Sequence, residues 1–380
     1  MSTLPSPVDP GGLDEFSVVF TDRSLNHMAQ NFQQVMRDIA TGLCEVYGAE
    51  GVAVIPGGGT YAMEAVARQF ASERRVLVIR NGWFSYRWSQ ILETGRITSE
   101  IEVLKAAPVA AGSQQPFAPA AIDEVVARIH AFRPEVVFAP HVETSAGIML
   151  PDDYLQAVAE AAHAVGALFV LDCIASGTIW VDMQALGIDV LISAPQKGWS
   201  ASPCAGLVML SDRAEARLAD TESSSFACDL KKWRSIMQTY ETGGHAYHAT
   251  MPTDGLRRFR DTMIETQAFG LERARDAQLE LGRRVRDLLA GMGFASVAAA
   301  GFEAPGVVVC YTDDPALQNA SRLAAEGTQI AAGVPLACDE PADFRSFRIG
   351  LFGLDKLADV DATVARLQSA FKRALKNNQA

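Results

Sequence analysis

Basic residues are in the minority here: 33 Lys and Arg stand against 45 Asp and Glu, a formal charge of −12. A nucleic-acid backbone demands a concentrated basic surface, so this balance argues against such a partner. It leaves room for a small anionic ligand, because the local field of a site can oppose the net charge. Cysteine is sparse and scattered: Cys44, Cys173, Cys204, Cys228, Cys310 and Cys338 include no CxxC pair. That pattern fits reduced thiols rather than a disulfide framework or a zinc site. No apolar run is long enough to span a bilayer, and the opening MSTLPSPVDPGGLDEF lacks the basic and apolar segments of a secretory signal. The expectation is a cytoplasmic protein with no membrane partner.

What is present is ordinary globular material, 49% hydrophobic over 380 residues, enough for two or three lobes. Residues 1–23 read as an irregular arm. Helical spacing over 25–47 predicts a long helix ending near Gly48. Short apolar runs at 51–55, 75–79, 101–104, 136–140, 168–171, 190–193 and 207–210 read as strands. Helical stretches at 61–72, 84–94, 121–132 and 153–165 separate several of them. Strands that are apolar almost throughout, alternating with helices, predict a mostly parallel sheet covered on both faces. One long helical stretch, roughly 255–292, leads to strands at 306–311 and 346–351 and a closing helix at 357–375. The expected organisation is an arm (1–23), a large α/β domain (24–255), and a connecting helix with a smaller C-terminal α/β domain (256–380).

Three features carry chemistry. Pro56-Gly57-Gly58-Gly59-Thr60 lies between a strand and a helix. Glycines let a backbone approach a ligand, and a helix N-terminus offers unpaired amides to a phosphate. The run is neither GxGxxG nor Walker A, and a plain tight turn is an equal reading. The strand Phe169-Val170-Leu171 ends in Asp172, where open α/β sheets bind ligands, although acids also cap turns there. At 25 residues past Asp172, Ser193-Ala194-Pro195-Gln196-Lys197-Gly198 puts a lysine at another strand's end. Desolvation there would lower its pKa, as an amine needs for attack on a carbonyl.

Together with RNGWFSYRW, HVETSAG, AYHATMP and FRIGLFG, these segments run in the order GGGTYAMEA, RNGWFSYRW, HVETSAG, LDCIASG, SAPQKG, AYHATMP, FRIGLFG. In that order the chain resembles the class V aminotransferases of fold type I, the branch holding serine–pyruvate, alanine–glyoxylate and 2-aminoethylphosphonate transaminases. The resemblance runs from about Asn26 to the C-terminal helix. It implies pyridoxal 5′-phosphate as cofactor and Lys197 as the Schiff-base lysine. Asp172 would pair with the pyridinium nitrogen and keep the ring an electron sink. Gly58, Gly59, Thr60 and Gln196 would hold the cofactor phosphate, Phe84 would stack on the ring, and Thr144 would bond its phenolic oxygen. Tyr247 and Thr250 would reach a neighbouring subunit's phosphate, making a homodimer with shared active sites. Arg348, flanked by apolar residues, would grip a substrate carboxylate with its planar fork. The implied reaction moves an amino group from a small amino acid or aminophosphonate to a 2-oxo acid, pyruvate or glyoxylate.

Some residues depart from the family pattern. Thr60 stands where relatives often have histidine, Pro195 replaces a small polar residue, Met28 replaces an arginine, and the arm lacks the usual PGP-like start. His27 and His141 match positions near the cofactor, but a lone histidine is more often a structural hydrogen-bonder. Phe84 and Tyr247 also read as core aromatics. Cys338, ten residues before Arg348, raises an alternative: a cysteine desulfurase, lyase or racemase using the same lysine. A noncatalytic binding protein has no need of Lys197 and Asp172 together.

Overall fold

The computed structural model describes residues 8–376; the first seven residues of the expected arm and the last four of the C-terminal region lie outside the described residues. The large sheet contains β1 (Gly51–Pro56), β2 (Val76–Arg80), β3 (Ile101–Lys105), β4 (Val136–Pro140), β5 (Leu168–Asp172), β6 (Val190–Ser193) and β7 (Ala205–Leu210). Their order is β1-β7-β6-β5-β4-β2-β3. Neighbours pair in parallel except at β7, which runs antiparallel to both β1 and β6. The interior strands VLVIR, VVFAP and LFVLD are buried at every residue, as a sheet covered on both faces requires. IEVLK of β3 is only half-buried throughout, and its charged residues suit an edge.

Helices α1 (Gln30–Tyr47), α2 (Gly59–Phe70), α3 (Trp83–Thr94), α4 (Ile122–Phe132) and α5 (Asp152–Ala164) form near their expected places. α1 starts five residues later than its periodicity suggests. The Asn26 side chain accepts the Met28 amide at 2.9 Å and its carbonyl accepts the Ala29 amide at 3.0 Å, which makes a turn of the preceding segment. Gly48, in the left-handed conformation (φ 64°), ends the helix where expected.

The stretch expected as one helix from about 255 to 292 is two, α6 (Thr253–Phe269) and α7 (Leu271–Gly291). Gly270, at φ 101° and ψ 118°, breaks the path, a backbone state that side chains rarely adopt. α7 and the closing α8 (Val360–Lys376) cover an antiparallel sheet of β8 (Val307–Tyr311), β9 (Ala331–Ala332) and β10 (Ser346–Gly350), in the order β8-β10-β9. Leu281, Val285, Leu289, Phe347 and Phe371 form the core between them. Buried Gln278 on α7 donates to the carbonyls of Pro305 and Leu351 at 3.1 and 3.3 Å. Thr178, just beyond β5, donates to Ala274 of the same helix at 2.9 Å. These bonds set the small sheet against the large one. The architecture is α/β, with a mostly parallel central sheet and a smaller α/β region behind it. Among the described residues no helix is long and apolar enough to cross a membrane.

Candidate active site

The loops that leave the C-terminal ends of β1, β2, β4, β5 and β6 carry most of the residues singled out above, the place where open α/β sheets bind ligands. Strands β5 and β6 are direct neighbours, with Asp172 in register with Ile192. Asp172 and the loop bearing Lys197 therefore emerge side by side.

Asp172 is 8% exposed. Its Oδ1 accepts the Ile174 amide at 2.9 Å, and its main-chain carbonyl accepts the His141 amide at 2.8 Å. Burial raises its pKa from 3.8 to about 6, with Glu143 adding to the rise and the Ile174 amide, Lys197 and Arg87 opposing it. Lys197 is half-buried, and burial lowers its pKa although Asp172 pulls the other way; Arg348 adds to the lowering. Its Nζ lies 5.3 Å from the Phe352 ring centroid. Among the described residues Lys197 has no ion-pair partner. An amine so placed is closer to its neutral, nucleophilic form than a surface lysine. Gly198 follows it for lack of room: a Cβ there would lie 2.1 Å from the Gly177 carbonyl oxygen.

The glycine run forms a cradle at the start of α2. Gly57 has φ 121°, a glycine-favoring value. Gly58 is extended and caps the helix without any side-chain bond. A Cβ on Gly59 would meet Ile174 Cδ1 at 2.4 Å, while none of the chain stands within 4 Å of a Cβ on Gly58. The amides of Gly59 and Thr60, in the first turn, have no intrahelical acceptor. This is the donor set an anion needs. Gln196 Oε1, in the residue before Lys197, is buried without a hydrogen-bond partner among the described residues.

Phe84 sits in the first turn of α3, held by a residue the sequence analysis did not assign. Glu143, fully buried, accepts the amides of Phe84, Ser85 and Ser145 at 3.2, 2.8 and 3.0 Å, and the hydroxyls of Ser85 and Ser145 at 2.7 and 2.8 Å. Its charge complements the positive end of α3. A Cβ on Gly82 would stand 2.1 Å from Ser145 Oγ and 2.7 Å from Glu143 Cγ, so the glycine of RNGWF makes room for the carboxylate. Thr144, the next residue, is buried. Two guanidinium groups approach the Phe84 ring: Arg87 at 5.3 Å and Arg348 at 5.4 Å. Arg87, like Glu143 and Phe352, lies inside the recognised motifs without having been singled out.

Arg348, on β10, is half-buried rather than fully buried. Its Nε donates to the Ala332 carbonyl at 2.8 Å, and no carboxylate pairs with it among the described residues. The outer nitrogens of the fork are left for an anion. Tyr247 and Thr250 do not join this cluster. Tyr247 is 51% exposed; its hydroxyl lies 3.0 Å from Thr250 Oγ1, and its ring is 5.5 Å from that of His27. His27, near the rings of Phe20 and His245, has its pKa lowered by burial and by His245. His141 is 1% exposed, with Nδ1 2.7 Å from Ser176 Oγ. Burial drops its pKa to about 4, which keeps it neutral.

Cys338 does not fit a sulfur acceptor. It is 3% exposed, and burial pushes its pKa up to about 12. The loop around it is pinned: Glu340 accepts the amides of Leu336, Ala337 and Cys338 at 2.6, 3.1 and 2.8 Å. Arg80 donates to the Ala337 carbonyl at 3.2 Å, and Lys105 bridges to Asp339 at 2.7 Å. A desulfurase thiol must be a mobile thiolate; this one is neither.

Comparison with known proteins agrees with this geometry. The family described as Aminotransferase class-V matches residues 16–346. A 2-aminoethylphosphonate–pyruvate transaminase of Paraburkholderia phymatum is 29% identical over 88% of this chain and 88% of its own. An alanine–glyoxylate aminotransferase of Saccharomyces cerevisiae is 24% identical over 82% of each chain. The crystal structure of an alanine–glyoxylate aminotransferase from Nostoc superposes with a TM-score of 0.77, 23% identity, and coverage of 93% of this chain and 89% of that one, a likeness of fold.

Proposed function

The chain belongs to the class-V aminotransferases, which are pyridoxal-phosphate enzymes, and we propose that it transfers the amino group of a small donor with one acid group to pyruvate or glyoxylate. The observation that carries this reading is the desolvated Lys197 amine, near a buried carboxylate on β5 and the Arg348 guanidinium, with no ion-pair partner for either cation among the described residues.

The residues present fit the cofactor. Gly58, Gly59 and Thr60, at the uncapped start of α2, would hold its phosphate together with Gln196. Phe84 would stack on the ring, and Thr144 would bond its phenolic oxygen. Bound pyridoxal phosphate supplies an aldehyde that condenses with amines and a ring that draws electrons from the substrate's α carbon. Asp172 holds a proton on the ring nitrogen, a role suited to a carboxylate kept from water. Lys197 would supply the amine for that aldehyde and would move the proton at the substrate's α carbon. Arg348 orients the substrate through its acid group. The cations acting on Lys197 are Arg348 and Arg87, and Arg87 is engaged at the glycine cradle, so one fixed cation is left for the substrate. This favours alanine, serine or 2-aminoethylphosphonate over a dicarboxylic donor.

The active species in this reading is a cytoplasmic homodimer. Tyr247 and Thr250, exposed and with hydroxyls paired at 3.0 Å, suit a neighbour's phosphate. Leu13, Phe16 and Val18 of the arm, at 98%, 92% and 102% exposure, are apolar surface that a second chain would cover. Active enzyme sedimenting as a monomer would refute the shared site. For the chemistry, borohydride reduction and peptide mapping should find the pyridoxyl group on Lys197, and a panel of donors against both acceptors should show preference for one acid group. A label on another lysine, or faster turnover of aspartate than of every single-acid donor, would overturn the assignment.

A further inference from the structure

We propose that Arg87 reads the cofactor's phosphate from within the same subunit, through the hydroxyl of Thr60 and with its own charge. The inference rests on the reading that Gly58, Gly59 and Thr60 cradle that phosphate.

Arg87 lies three residues after Phe84 on α3, a spacing that puts both on one face of the helix. Its guanidinium carbon is 5.3 Å from the Phe84 ring centroid, and its Nη1 donates to Thr60 Oγ1 at 2.9 Å. That bond crosses from α3 to the second residue of α2. It also fixes the polarity of the hydroxyl. Since Thr60 Oγ1 accepts from Arg87, its own proton is free to donate to a further acceptor. At the same place the amides of Gly59 and Thr60 lack intrahelical acceptors. Two amides, a hydroxyl and a guanidinium thus converge on one spot.

The charge balance points the same way. In a chain with 45 acids against 33 bases, arginines readily find carboxylates: Arg68, Arg74, Arg128, Arg234 and Arg284 all do. Arg87 has no carboxylate within salt-bridge distance among the described residues. It is half-buried, and its field reaches both Asp172 and Lys197. A fork in that position is complementary to a dianion. A surface charge would serve no such end, and a purely structural arginine would serve the Phe84 ring alone.

The test compares two ligands that share the aldehyde ring and differ only in the phosphate. Full-length chain, stripped of cofactor, is titrated with pyridoxal phosphate and with pyridoxal. The unmodified chain should bind the phosphorylated form far more tightly. Arg87→Gln should weaken pyridoxal phosphate about 10–100-fold, as loss of a charge-assisted contact implies, and leave pyridoxal nearly unchanged. Arg87→Lys, which keeps the charge and loses the fork, should fall between. If the unmodified chain binds both ligands equally, the cradle itself is misassigned and the proposal falls with it. If the unmodified chain discriminates but Arg87→Gln weakens both ligands alike, Arg87 acts through the Phe84 ring and the proposal is wrong. No change in either ligand also overturns it. Should Arg87→Gln fail to fold, the same comparison in Arg87→Lys decides: a loss confined to the phosphorylated ligand supports the proposal, and an equal loss or none refutes it.

Discussion

Replacing Asp172 with asparagine should make the cofactor-free chain more stable and the enzyme far less active. Burial lifts the Asp172 pKa from 3.8 to about 6. A rise of about two pH units, at about 1.4 kcal/mol for each, means the ionised form costs the fold ~3 kcal/mol at neutral pH. Asparagine keeps an oxygen for the Ile174 amide, now accepted at 2.9 Å, and carries no charge to desolvate. Part of the gain is offset because Lys197 loses the carboxylate that favours its ammonium form. A net gain of about 1–3 kcal/mol remains, or a few degrees in melting temperature.

The pH dependence has a definite sign. The folded-state pKa lies above the unfolded one, so the favourable, protonated contribution is complete below pH 3.8 and lost as pH rises through about 6. The advantage of Asp172→Asn should therefore be full above pH 6 and shrink as pH falls toward 3.8. Thermal scans of both stripped chains across that window measure it. With cofactor bound the balance should reverse, since in the proposed reading the ring nitrogen would lose the carboxylate that keeps its proton. Turnover should drop about 10²–10³-fold, the scale of other preorganised electrostatic partners. A stripped variant less stable than the parent at pH 7.5, or one with near-normal turnover, would refute the reasoning.

Arg348→Lys should lower kcat/KM for both donor and acceptor by about 2–4 kcal/mol, because one fork serves both half-reactions. The visible absorbance of lysine-bound cofactor should hardly change, and unaltered substrate kinetics in a folded variant would remove the clamp. Glu143→Gln should destabilise the chain by about 1–3 kcal/mol, since a side-chain amide group would face donors it cannot accept from, and should loosen cofactor binding as Phe84 shifts. Normal melting and normal cofactor affinity would show that the network does not position the ring. Cys338→Ser should leave transamination intact, and loss of activity in a folded protein would reopen the sulfur-acceptor role.

The strands were legible because each must be covered on both faces, which writes a nearly unbroken apolar run into the chain. The direction of β7 was not, since an apolar run reads the same whichever way the strand points. It is set by pairing with β1, distant in sequence, and with β6, the strand just before it. The break between α6 and α7 had a visible signal in Gly270, but helical periodicity continues on both sides of it. Asp172 stood out because a charge ending an apolar strand is unusual, and Lys197 because it lies on the loop just past another such strand.

Glu143 and Arg87 carry no such mark. A carboxylate within HVETSAG and an arginine within RNGWFSYRW look like ordinary loop and helix charges. Only packing shows that one is fully buried among five donors and the other leans on Thr60 without an acid. Both act at the first turns of α3: Glu143 receives its leading amides, and Arg87, within the helix, reaches across to Thr60 of α2. A shift of α3 would move the Phe84 ring, the Thr60 hydroxyl and the charge near Lys197 together. In the proposed reading, ring stacking, phosphate recognition and the field on the lysine amine are thus set by the placement of one helix, and no single residue type in the sequence could announce that coupling.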